Sequence, residues 1–436
     1  MNKKWSPEEI KQKLKLAISH VTESKDEFVL RPGKDFTRNR KLSMDTMIQL
    51  LISMGGNTLR KEMYDWFHYA SDTATVSAFV QQRNKLLPAA FESIFHSFAK
   101  ECTMNSYYSG YRVLAIDGSD LRLPANANDP ETYIKTNETD KKGYNLAHLD
   151  AVYDLLSHVY SDASLQMKRN MSEHRALAIM VDRLEISDKT IIVADRGYES
   201  FNTMAHIKEK GWHFVLRAKE SYGIITKIAL PDSKEFDMPV SITLTRRQTK
   251  ETRKLFEQDP CKYRWLPPKA TFDYIEPKSN KMYDLNFRVV RFMISSGLYE
   301  TIYTNLPAAN FPAEKIKHLY KMRWGIETSF RELKYTIGLA SIHSKKIQFV
   351  IQEVFSKLIL YNFSSLLMRF RDLKDNKVRI NFSAAFLWCK QFLYNMTSEA
   401  VLLQMLLRCT SPVRTGRNFP RYQKHLSAMS LNYRII

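Results

Sequence analysis

Apolar positions in residues 1–108 fall into short runs with tight polar or glycine breaks, which predicts helices. Ser43 caps a helix that reaches Met54 and stops at Gly55-Gly56, and a second runs over 58–67. A third begins near Thr75, and Pro88 suits the first turn of a fourth that ends near Cys102. From Tyr111 the texture changes. Arg112-Val-Leu-Ala-Ile116 is a β-prone run ending at Asp117, and 147–153 and 158–160 suggest two more strands. A helix over 171–184 precedes the wholly apolar strand 190–194, which ends at Asp195. Helix 201–210, closed by Gly211, leads to strand 212–216. Strands first, then alternating helix and strand, indicate an α/β fold with a mixed sheet. Strand-like text returns over 218–306, most clearly at 241–245, 285–290 and 301–304. A long helix starts at Pro312 and passes Lys334, and the remainder to about 407 is predominantly helical.

Length and charge narrow the class. The 436 residues suggest two or three domains, and 26% charged with 44% hydrophobic residues belong to an ordinary soluble globular chain. Lys and Arg number 66 against 46 Asp and Glu, a net +20 that favours a polyanionic partner, nucleic acid before acidic membrane. The four cysteines lie far apart without a C-x-x-C pair, so neither a disulfide framework nor a cysteine zinc site is suggested. The basic opening has no apolar run behind it, and the most apolar stretch, 349–370, carries Gln352, Glu353, Lys357 and Asn362. No secretory signal or membrane span is therefore expected, and the cytoplasm is the compartment expected. Gln81, Gln82, Arg83 and Lys85 on a short helix suit a DNA-reading module, with a solvated helical cap as the other reading. Residues 246–254 form a basic run that is either a nucleic-acid contact or a solvated loop, and 413–436 read as a basic tail.

Candidate chemistry sits at strand ends. A carboxylate such as Asp117 or Asp195 at the exit of an apolar strand is held rigidly from beneath while its oxygens face outward, as hard divalent cations require. In the helix that follows, Tyr320, Arg323, Glu327 and Lys334 fall within an arc of roughly 60° at about 100° per residue. Leu319, Met322, Ile326, Phe330, Leu333 and Ile337 form an adjoining apolar stripe. One acid among an arginine, a lysine and a phenol suits a site for metal and phosphate, whereas a helix laced by surface ion pairs is the bland alternative. Asp120 is the main rival to Asp117; Asp150, Asp154 and Asp162 read as sheet-edge or turn residues. His148 and His158 read as structural, and Trp212 and Trp265 as packing residues.

Asp117-Gly-Ser, Asp195-Arg-Gly-Tyr and the Y-x2-R-x3-E-x6-K spacing of Tyr320, Arg323, Glu327 and Lys334 resemble a DDE transposase of the insertion-sequence-four type. The resemblance spans about 36–421, including Phe36-Thr-Arg38 and the stretch 77–83. It implies a ribonuclease-H-like catalytic domain (109–217 and 307–345) interrupted by a β-rich insertion (218–306). A helical DNA-binding region (1–108) would precede it and a helical C-terminal region (346–436) follow it. Asp117, Asp195 and Glu327 would be the catalytic acids, Asp117 bridging two magnesium ions and the other two each completing one side, with manganese able to substitute. Tyr320, Arg323 and Lys334 would contact phosphates near a transposon end, with Arg196 and Trp324 as further DNA contacts. The implied activity is nicking at terminal inverted repeats and joining of 3′ hydroxyls to target DNA, possible through a hairpin intermediate. The implied assembly is a homodimeric synaptic complex with double-stranded DNA, associated with the bacterial nucleoid. A DNA-binding regulator without activity, or a nuclease that cuts without joining, are the alternatives.

Overall fold

The computed structural model of the chain describes residues 5–102, 106–135, 143–167, 171–220, 223–342, 344–370 and 378–413. Five helices come first: α1 (Pro7–Glu23), α2 (Met44–Ser53), α3 (Leu59–Trp66), α4 (Val76–Arg83) and α5 (Pro88–Glu101). Their starts follow local chemistry. The side chains of Ser6, Ser43, Thr58 and Thr75 each accept an N–H of the first turn, and Pro88 opens α5.

Strands β1 (Arg112–Leu123), β2 (Tyr133–Ile134), β3 (Tyr144–Asp154) and β4 (Val159–Met167) come next, then α6 (Glu173–Arg183), β5 (Thr190–Ala194), α7 (Phe201–Glu209) and β6 (His213–Arg217). After them run β7 (Phe236–Thr245), α8 (Lys250–Gln258), β8 (Tyr263–Trp265), β9 (Met282–Ser295) and β10 (Leu298–Thr304). All ten strands share one sheet in the order β2-β3-β1-β5-β6-β10-β9-β7-β8, with β4 paired to β3. β1 and β3 are antiparallel, β1, β5 and β6 run parallel, and β10 returns antiparallel to β6. The strands of 218–306 therefore continue the sheet rather than forming one of their own, and the basic run 246–254, read as a nucleic-acid contact or a solvated loop, leads into the helix α8.

Both faces of the central strands are covered, which is why they read as unbroken apolar runs. Val113, Ala115, Ile191 and Val193 enter one core together with the N-terminal helices and the helices beyond residue 312. Leu114, Ile116, Ile192 and Ala194 enter the other, beneath α6 and α7. The first core is organised around α11 (Ile347–Arg369), preceded by α9 (Ala313–Met322) and α10 (Trp324–Arg331) and followed by α12 (Phe382–Leu393) and α13 (Glu399–Arg408). A short ribbon of β11 (Val378–Ile380) and β12 (Thr410–Pro412) interrupts the region expected to be helical, and the expected basic tail from 414 onward lies outside the described residues.

The polar residues noted in the apolar stretch of α11, Gln352, Glu353, Lys357 and Asn362, are buried and bonded. Lys357 donates to the carbonyls of Met54 and Gly55, Gln352 donates to Leu86, and Asn362 makes two bonds with the backbone of Tyr160. No described helix is long and apolar enough to cross a membrane. Arg83 departs from its expected place on a DNA-reading face. It is 6% exposed, and its guanidinium donates to Gln352, Glu353 and the carbonyl of Phe349, pinning α4 to α11. Removing one partner of a buried ion pair leaves the other charge uncompensated. Arg83→Ala is expected to lower the urea-unfolding free energy by about 3–5 kcal/mol; a loss within the range of an ordinary surface substitution would show that this pairing does not hold the two helices together.

Candidate functional site

Asp117 lies inside β1 rather than at its end, because β3 continues to pair with β1 as far as Leu123↔Asn145. What stops is the pairing with β5, whose last register pair is Ile116↔Ala194. Asp117 and Asp195 are thus the next residues on two adjacent parallel strands, and strand spacing is about 4.8 Å. Glu327 reaches them from α10, which packs on β1. Close approach there is helped by Gly325, where a β-carbon would stand 2.9 Å from Leu155 Cδ2. The expected apolar stripe is buried at Leu319, Ile326, Phe330, Leu333 and Ile337. The long helix is tightened at Arg323, between α9 and α10, by i to i+3 bonds, and ends in a π turn over Glu332–Thr336.

Arg323 stands among the acids. It is 4% exposed, donates to Glu327 Oε1 at 2.9 Å and lies 3.9 Å from Asp117 Oδ2. Its Nε is buried without a hydrogen-bond partner among the described residues. Burial opposes its charge, but the Tyr320 phenol and the acids Asp195, Glu327 and Asp117 raise its proton affinity above the ordinary value. Tyr320 is also buried and donates to Asp195 Oδ1 at 3.2 Å. Burial pushes the carboxyl of Asp117 up to about 6, and Glu327 and Asp195 push the same way against Arg323 and the Gly118 N–H. Three oxygen-donor side chains on fixed backbone fit a hard divalent cation. Arg323 compensates part of their charge here.

The remaining expected residues sit farther out. Lys334 donates to the carbonyl of Asp120 at 2.7 Å, and burial holds its amine below the usual range. Trp324 is 46% exposed, its ring beside Arg323, and Arg196 is exposed at the turn after Asp195. Two residues were missed. Arg217, at the end of β6, lies 3.6 Å from Asp195 and 3.5 Å from Glu300 on β10, so a second cation and a fourth acid border the site. Nothing near them in sequence marks them; the one clue was that Arg217 falls at the end of the apolar strand β6. Asp150, Asp154 and Asp162, expected at edges or turns, are fully buried. Asp154 pairs with Arg112, Asp162 with Arg183 and His96, and Asp150 accepts from Tyr198 and Gln166.

The family described as "Transposase DDE domain" matches residues 108–363. The transposase InsG for insertion sequence element IS4 of Escherichia coli (strain K12) is 23% identical over 411 residues, covering 90% of this chain and 82% of that protein. Among solved structures, a piggyBac transposase synaptic complex with hairpin DNA aligns over 94% of this chain and 78% of that chain, with 9% identity and a TM-score of 0.41.

The raised affinity of Asp117 for its proton has a consequence for stability. Its folded-state value lies above that of an unfolded aspartate, so the fold favours the protonated form and bears the full cost of the charge above about pH 6. Asp117→Asn is accordingly expected to stabilise the chain by about 1–3 kcal/mol at pH 8 in the presence of a chelator. The gain should shrink as pH falls from 6 towards 4. Urea titrations at several pH values measure it, and an asparagine variant less stable at pH 8 would contradict this electrostatic account.

Proposed function

The chain belongs to the transposase DDE domain family and is a DNA transposase; from that premise we propose that it binds the terminal inverted repeats of its element, nicks them and joins the 3′ hydroxyl ends to target DNA. The observation that carries the proposal is the placing of Asp117 and Asp195 side by side on parallel strands with Glu327 facing them from α10. The sheet supports a ribonuclease-H-like core. Three antiparallel strands, β4-β3-β1, are followed by parallel β5 and β6, with α6 between β4 and β5.

Asp117, Asp195 and Glu327 would hold the divalent metal, taken to be two magnesium ions with manganese as a substitute. When bound, the metal would activate the attacking oxygen and stabilise the leaving one. The chemistry is in-line displacement at phosphorus: a water oxygen attacks and the 3′ oxygen leaves as a 3′ hydroxyl; that hydroxyl then gives up its proton and attacks a target phosphate, and the target strand's own 3′ oxygen leaves as a hydroxyl. Around it the chain's own residues divide the work. Tyr320 orients Asp195, and Arg323 balances the acids and would contact a phosphate oxygen through its guanidinium. Lys334, Arg196 and Trp324 would grip the DNA flanking the reacting phosphorus, the tryptophan by stacking. Two ends must be held at once, so a homodimeric synaptic complex is the expected assembly.

The test is incubation of the purified chain with end-containing duplex, target plasmid and magnesium. Joined products are expected; nicks without joining would indicate a nuclease, and a gel shift without cleavage a DNA-binding regulator. Glu327→Gln should retain end binding and lose cleavage by at least about 100-fold, and a variant that still cuts at the wild-type rate would remove Glu327 from the site. Protons compete with metal at Asp117, so cleavage should fall as pH drops through about 6. Binding should weaken steeply with salt.

A further inference from the structure

Behind Asp117, on the face of the sheet covered by α6, lies a second constellation. His148 and Asp150 are neighbours on β3, and Glu173 is the first residue of α6. One ligand atom from each lies within 4.8 Å of the others. His148 Nε2 stands 3.6 Å from Asp150 Oδ1 and 3.6 Å from Glu173 Oε1. The His148 side chain is 7% exposed, and its Nε2 has no hydrogen-bond partner among the described residues.

We propose that His148, Asp150 and Glu173 form a binding site for a borderline divalent transition-metal ion, of which zinc is the type, distinct from the site of the three strand-end acids. The spacing suits such an ion. Bonds of about 2.1 Å at a tetrahedral angle separate ligand atoms by roughly 3.4 Å. One imidazole nitrogen with two carboxylate oxygens is a donor set for zinc rather than magnesium. The imidazole is already oriented: Nδ1 lies 2.7 Å from Asp120 Oδ1, which turns Nε2 towards the two acids, where a bound ion would take the place of the Nε2 proton. Asp150 is fixed from behind by the Tyr198 hydroxyl at 2.9 Å and by Gln166.

Two glycines keep the space open. A β-carbon at position 118 would stand 2.3 Å from His148 Nε2, and one at 197 would stand 2.7 Å from Glu173 Oε2. Both belong to the segments that carry the front acids, Asp117-Gly118 and Asp195-Arg196-Gly197-Tyr198. In each segment the acid serves one site while the glycine, and in the second also the tyrosine, borders the other. An ion held there ties β3, α6 and the turn after β5 together, and so fixes the backbone beneath Asp117 and Asp195.

The test uses the full chain with Asp117→Asn, Asp195→Asn and Glu327→Gln, which removes the front acids and makes the readout independent of transposition. Calorimetric titration with zinc chloride, with bound metal counted after dialysis, should give one zinc per chain and a raised Tm. Adding Glu173→Gln, at a partly exposed position, should weaken zinc binding at least about tenfold, as should His148→Asn. Millimolar magnesium should not displace the zinc. Absence of zinc uptake, uptake indifferent to Glu173→Gln, or displacement by magnesium would each overturn the proposal.

Discussion

Carboxylates crowded at the ends of neighbouring strands repel one another, and the fold places a buried guanidinium where that repulsion is greatest. Arg323 touches Glu327 and approaches Asp117, while the Tyr320 hydroxyl and Arg217 attend to Asp195. Each acid therefore has a donor beside it, and two of these donors, Arg323 and Tyr320, are themselves buried in core structure. The arrangement also explains why Arg323 falls where α9 gives way to α10. A tightened turn at that point directs both its own side chain and that of Glu327 towards β1.

The parallel pairing of β1 with β5 sets the other half of the geometry. It ends one residue before Asp117 and Asp195, so the acids emerge in register, while β3 carries β1 onward and keeps Asp117 from fraying. Alternation along β1 then divides the labour of adjacent residues. Asp117 faces the layer containing α10, and Gly118 faces His148 and Asp150. A single register thus serves both faces, and a slip of one residue would exchange them.

Local signals in the chain proved dependable. Ser43, Thr58, Thr75 and Pro88 act over three or four residues, and the helices begin where they stand. The spacing of Tyr320, Arg323 and Glu327 was likewise legible, because helical periodicity alone brings them to one side. Partnerships across long separations were not. Arg83 reads as a surface cation on a polar helix, and only the folded chain reveals that Gln352 and Glu353 receive it. Asp154 and Asp162 look like loop acids until Arg112 and Arg183 appear beside them. Arg217 meets Asp195 because β6 lies parallel beside β5, and Glu300 reaches Arg217 because β10 closes against β6, pairings that no spacing in the sequence specifies.

How firmly Glu327 is held depends on residues that carry no chemistry. Asn362 of α11 bonds both the N–H and the carbonyl of Tyr160, fixing β4 against the central helix. The Tyr160 hydroxyl then lies 2.8 Å from Ser329 Oγ, two residues beyond Glu327 on α10. Tyr361 of α11 donates to Glu332 where the helix becomes a π turn, and its ring meets those of Tyr153 and Tyr160 edge to face. These bonds lie in the core or at its edge and support one another, so α10 cannot slide along β1 without breaking several at once. Ordered polar groups inside an otherwise apolar core thus fix the register of a helix, and through it the one acid that the sheet itself does not supply.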